Sequence, residues 1–148
     1  MTSKTNLAFV LALSALFGLV SSVDAAPVKL LCKGAGTMEV DTDKTPSPAI
    51  ISVELDEAAG WISLDGWAVG PERLPITRSG PAVTFTNTAT SPSEGVVAIT
   101  AGRIEPSTGR LYIETTVTSA NGPGKQFTFW NVEVTTLRFT ADVPCRTP

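Results

Sequence analysis

With 148 residues, a formal net charge of −3 and no histidine, the chain has room for one domain and lacks the means for several chemistries. Its 11 basic and 14 acidic residues form no basic run, which argues against a nucleic-acid partner. The missing imidazole removes the commonest general base, the usual Ser and Cys triads and the commonest transition-metal ligand.

The N-terminus reads as a secretion signal. Lys4 supplies the positive start, Leu7–Val20 is an apolar run, and Val23-Asp24-Ala25 is a small-x-small cleavage site. Residues 1–25 are therefore assigned to a signal peptide and residues 26–148 to a single all-β domain, secreted or periplasmic. No later run is apolar for long enough to predict a membrane-spanning helix in the mature chain. The two cysteines, Cys32 and Cys145, predict one disulfide joining the ends of an exported domain; a pair of free thiols is the alternative, without a C-x-x-C spacing behind it.

Period-two alternation, abundant Thr and Val, and frequent Pro and Gly predict strands and no long helix. Val28–Cys32 opens the first strand, Gly34 and Gly36 mark a bulge or bend before Thr37–Val40, and Asp41–Pro48 reads as a polar loop. Ala49–Leu55 and Trp61–Val69 form a hairpin around Glu57–Gly60, pairing Asp56 with Trp61, Leu55 with Ile62 and Val53 with Leu64. A rival turn at Asp65-Gly66 leaves very short strands. Leu74–Arg78 and Val83–Thr88 join through Ser79-Gly80-Pro81, and Thr90–Gly95 is a loop.

The clearest unit is the hairpin Gly102–Thr118. Pro106 and Gly109 fit a tight loop, which sets Glu105 opposite Arg110, Ile104 opposite Leu111 and Arg103 opposite Tyr112. One face then carries Ala98, Ile104, Leu111, Ile113 and Val117; the other carries Arg103, Glu105, Arg110, Tyr112 and Glu114. A slip of one residue would mix these sets. The stretch LDEAAGWISL at 55–64 echoes IEPSTGRLYI at 104–113, 49 residues on, which suggests one β-meander unit used twice; convergence on a good turn is the alternative. Gln126–Val134 and Leu137–Val143 follow, with a bulge expected near Trp130-Asn131, where the alternation slips phase. Eight to ten short antiparallel strands predict a small up-and-down barrel with its ends tied by Cys32–Cys145, and a sandwich as the second choice.

The chemistry is sparse. No G-x-S-x-G or P-loop is present, and Asp41-Thr42-Asp43 departs from a calcium loop at its sixth and twelfth places. No metal, cofactor or catalytic residue is expected. Glu54, Asp56, Asp65 and Glu114 are the carboxylates open to glycoside chemistry, on strand faces where charge is ordinary. Thr84, Thr86, Thr88 and Thr90 read as an exposed strand face. The aromatic and cationic side chains Trp61, Trp67, Arg103, Arg110 and Tyr112 are the candidate ligand or partner site. Turned inward they line a pocket; turned outward they form a contact surface, or else simply cover the barrel.

Leu30-x-Cys32-x-Gly34-x-Gly36, Gly102-x-Ile104, Thr108-Gly109-Arg110-Leu111 and the late Cys145 resemble small exported bacterial β-rich proteins of uncharacterised function, which implies a fold and no activity. Phe129-Trp130 with Thr136-Leu137 is similar to the late strands of periplasmic lysozyme inhibitors. That likeness implies a disulfide-bearing barrel, while their Ser-Gly-x-x-Tyr loop has no counterpart at Ser119-Ala120-Asn121-Gly122. The expectation is a non-catalytic exported binding module for a small ligand, a glycan or an envelope protein; a cell-envelope interaction or enzyme-inhibitor protein is one alternative, and a structural protein without a ligand is the other.

Overall fold

A computed structural model describes residues 25–67 and 73–148; the signal-peptide reading and the end of the Trp61–Val69 strand fall outside them. The domain is all-β. Its strands are β1 (Val28–Val40), β2 (Asp43–Asp56), β3 (Trp61–Asp65), β4 (Leu74–Ser79), β5 (Ala82–Ser91), β6 (Val96–Glu105), β7 (Arg110–Ser119), β8 (Phe127–Phe129), β9 (Val132–Val134) and β10 (Thr136–Arg146). Eight close into an antiparallel barrel in the order β1-β10-β7-β6-β5-β4-β3-β2, while β8 and β9 pair with each other alone. Closure gives every barrel strand a partner on each side, although β2 extends past β3, so that Asp43–Ile51 is paired with β1 alone among the described residues.

The β6–β7 hairpin forms in the register its alternation requires: Glu105 opposite Arg110, Arg103 opposite Tyr112, Thr100 opposite Thr115, Ala98 opposite Val117. Ile104, Leu111, Ile113, Ala98 and Val117 are buried, so the aliphatic face is the inside. Burying each of the four larger chains, Ile104, Leu111, Ile113 and Val117, stabilises the barrel by about 1.5–3 kcal/mol. The interior is filled in two storeys. A lower cluster joins Cys32, Ile51, Leu55, Ile62, Phe85, Ile104, Leu111 and Val143 among others. An upper one joins Ala98, Val117, Phe127, Val134 and Leu137.

Several local expectations are corrected. Asp41–Pro48 is not a loop: β1 runs straight into β2 through a two-residue turn, with Val40 opposite Asp43. Asp41, at φ 54°, holds this turn, its Oδ1 accepting the backbone N–H of Thr135 at 2.8 Å and of Thr136 at 2.9 Å. The carboxylate suggestive of calcium thus serves as a backbone acceptor. Pro46 and Pro48 lie in β2, opposite Thr37 and Ala35. The ladder to β1 continues past both, so their missing N–H groups fall on the strand's other edge. Gly34 and Gly36 make no bulge in β1, whose register with β2 is unbroken. They allow close approach instead: a Cβ on Gly34 would lie 2.7 Å from Val143 Cγ1, and one on Gly36 2.8 Å from the Thr140 carbonyl.

Strand β5 runs on to Ser91 and leaves a shorter loop than Thr90–Gly95. The expected bulge at Trp130-Asn131 is a complete hairpin turn between β8 and β9, with Phe129 opposite Val132. Both turn residues have positive φ, 48° and 62°, the type I′ signature. The phase slip in the sequence is that reversal.

The echo between the two hairpins extends beyond the turn. Gly60 N donates to Asp56 O at 2.8 Å, and Gly109 N to Glu105 O at 2.9 Å. The following barrel strand then returns to the same glycine in each case: Ile76 N donates to Gly60 O at 3.1 Å, Cys145 N to Gly109 O at 2.5 Å. Pro75 opposes Trp61 as Pro144 opposes Arg110. The strand order sets β2–β3 diametrically opposite β6–β7. The barrel is therefore built as two four-stranded units about its axis, with β8–β9 inserted in the second.

Cys32 and Cys145 are joined by a disulfide and stand directly opposite each other across β1 and β10, the seam where the two ends of the barrel meet.

Candidate functional site

The five candidate residues do not share one face. Alternation along a strand keeps positions 61 and 67 on the same side, but Gly66 intervenes at φ 90°, and β3 ends at Asp65. Trp67 turns inward. It packs on the lower core, and its indole N–H donates to Thr115 Oγ1 at 2.7 Å. Thr115 in turn shares a 2.7 Å hydrogen bond with Thr100. These two threonines are buried and form a polar layer between the two apolar storeys. Asn87, opposite Thr100 on β5, belongs to it; its Nδ2 is buried and has no hydrogen-bond partner among the described residues. Trp67 is a plug over this layer, and its hydrogen bond satisfies an indole that burial would otherwise penalise.

Trp61 sits on the wall opposite β7, half-buried, with the Arg73 guanidinium 4.1 Å from its ring centroid. This cation–π pair occupies the place that Arg110 and Asp142 hold in the other half of the barrel. Arg73 precedes Leu74, the partner of Ile62, as Asp142 precedes Val143, the partner of Leu111.

The remaining three come together. Arg103, Arg110 and Tyr112, with Glu105 and Asp142, line an open depression of about 320 Å³ on the outer wall of β6, β7 and β10. Arg103 is paired with Glu105, two residues along its own strand, rather than stacked on Tyr112. Arg110 Nε donates to Asp142 Oδ1 at 2.7 Å, and this partner raises the guanidinium's affinity for its proton. Tyr112 is 42 % exposed and its hydroxyl donates to Glu114 Oε2 at 3.4 Å. The result is a phenol ring framed by two ion pairs. Such pairs add little stability at a surface but fix the positions of four charges around the ring.

Partial burial, with the Glu114 carboxylate adding to it, pushes the Tyr112 phenol above its ordinary value near 10. A raised folded-state value means that the folded state holds this proton more tightly. The associated stability is present below the unfolded phenol's value and is lost as pH rises through the folded one. Tyr112 is the chain's single tyrosine, so phenolate absorbance reports it alone. The titration midpoint is expected above 10, falling when Glu114→Gln removes the neighbouring charge; a midpoint unmoved by that substitution would contradict this geometry.

The four carboxylates do not converge. Glu54, Asp56 and Asp65 belong to β2 and β3, whereas Glu114 lies on β7 across the barrel. Sequence reasoning missed the role of Asp142, which meets Arg110 only because β10 pairs with β7, and the exposure of Trp130, for which only a bulge was expected.

Fold and wall together define a class: a disulfide-closed eight-stranded barrel with two apolar clusters inside, and with Arg103, Arg110 and Tyr112 on its outer wall. Comparison with protein-family models, with curated proteins and with solved structures returned no match, so the two resemblances rest on the motifs quoted above.

Proposed function

We propose that this chain is a non-catalytic, exported binding module whose contact surface is the outer wall of β6, β7 and β10 centred on Tyr112. The observation that carries this reading is the half-exposed Tyr112 ring held among Arg103, Glu105, Arg110 and Asp142. Tyrosine and arginine are the residue types that dominate contact surfaces. The two clusters of buried apolar side chains inside the barrel support a site on the outside, since small-molecule sites are enclosed and bury most of their ligand. The open form of the depression favours a macromolecular partner of the cell envelope over a small engulfed ligand. The disulfide supports export, because such bonds persist in oxidising compartments. The absence of histidine from the whole sequence supports a non-catalytic role.

The test is capture of envelope components by immobilised protein, read against two variants. Tyr112→Ala and Arg110→Glu are expected to fold normally, because both side chains lie outside the core, and to weaken capture by about tenfold or more, the loss typical of a contact anchor. A protein partner retained equally by all three proteins would overturn the assignment.

A further inference from the structure

The β8–β9 hairpin carries a second anomaly, on a different part of the molecule. Trp130 is 77 % exposed at φ 48° and is followed by Asn131 at φ 62°. A type I′ turn favours Asn and Gly at these places, and a bulky residue with positive φ is a true outlier because its Cβ crowds the backbone. Burial does not compensate here, since most of the indole is in solvent. What fixes the ring is its neighbour: Trp130 stacks on Phe129 with centroids 4.6 Å apart and planes 22° from parallel. Phe129 is itself packed against the upper core. One face of the indole is thus pinned and the other is open.

The surroundings select among flat partners. Asn131 follows Trp130 in the turn, Val132, opposite Phe129, is exposed, and the next pair along the hairpin is polar, Thr128 Oγ1 donating to Glu133 Oε1 at 2.6 Å. Phe127–Val134 holds a single charge, the acid Glu133, where a surface drawn to anionic lipid would carry Lys and Arg. A rigid, open aromatic face at the tip of a hairpin without Lys or Arg, with Asn131 next in the chain, suits a ring that is apolar on its faces and hydroxylated at its edge.

We infer that Trp130, pinned by Phe129 and flanked by Asn131, is a stacking platform for a saccharide ring, and that the chain binds polysaccharide through this hairpin tip. The site is independent of the Tyr112 wall. The strained turn persists because the position serves contact instead of stability.

Depletion assays with peptidoglycan sacculi, chitin and cellulose, beside zwitterionic and anionic vesicles, test this. The full mature chain is expected to deplete onto at least one polysaccharide and not onto vesicles. Trp130→Asn, which supplies a residue the turn favours, is expected to keep or raise the melting temperature while reducing retention at least tenfold. Trp130→Phe keeps an aromatic face and most of the retention, and Thr86→Ala, exposed on β5 and outside both proposed sites, leaves it unchanged. The inference is overturned if the wild type is retained by none of the three polysaccharides, if vesicles alone retain it, if Trp130→Asn binds as well as wild type, or if Trp130→Asn melts well below it, which would make the indole a structural residue. Failure here leaves the Tyr112 assignment intact, and failure of Tyr112→Ala to alter envelope capture leaves this one intact.

Discussion

Replacing both Cys32 and Cys145 by serine is expected to destabilise the barrel by roughly 4–5 kcal/mol in the chain-entropy picture, less any strain released. The two residues are 113 apart in sequence, so the cross-link removes a long loop's closure entropy from the unfolded chain. Its place makes the effect structural as well. Every other neighbouring pair of barrel strands except β7–β10 is joined by a short connection, but β1 and β10 hold the two ends of the domain and meet only through their ladder and this bond. Cys32 is fully buried in the lower core, and a serine hydroxyl there adds the cost of a polar group without a partner. Equilibrium denaturation of the double variant is the measurement. The midpoint should fall by an amount matching that loss. An unchanged midpoint would mean that the ladder alone closes the barrel.

Gly102→Ala is expected to cost about 1–3 kcal/mol, the usual penalty for forcing a group into a filled core, despite alanine's lower backbone entropy loss. A Cβ on Gly102 would lie 2.1 Å from Phe85 Cζ and within 2.8 Å of three ring atoms. Phe85, directly opposite on β5, lies across the glycine and is 2 % exposed, so an added methyl must displace a buried ring. The size of the effect is best read from a double-mutant cycle. Phe85→Leu alone leaves a void over Gly102, whereas Phe85→Leu with Gly102→Ala refills part of it. Coupling of opposite sign, or none, would show that the two do not share this volume.

Much of the barrel is legible in the sequence because strand alternation and turn residues are local signals. The β6–β7 register and the Glu57–Gly60 turn follow from them, and two cysteines leave one disulfide pairing; which strand face turns inward does not follow, because alternation sorts the side chains into two sets without saying which set meets water. What escapes is decided by partners far away in the chain. Asp41–Pro48 has the composition of a loop, and its strand exists because β1 templates it along one edge while its prolines face the other. Gly34 and Gly36 read as punctuation, yet the reason for them is the packing of Val143 and the carbonyl of Thr140, more than a hundred residues on. The site was half legible. Arg103, Arg110 and Tyr112 meet because cross-strand neighbours are predictable. Trp61 and Trp67 part company because one residue, Gly66, reverses the side to which the chain points. Asp142 reaches the site through the closing strand, whose place depends on the whole barrel.

The claim that the protein meets its partner on the outer wall of β6, β7 and β10 is tested most directly by photo-cross-linking in intact exporting cells. A photoreactive residue is placed at Tyr112 in one variant and at Ser63, the corresponding position on the opposite wall, in another. The structure predicts discrete adducts from position 112 and none from position 63. Adducts at position 63 alone, or identical patterns from the two walls, would contradict it.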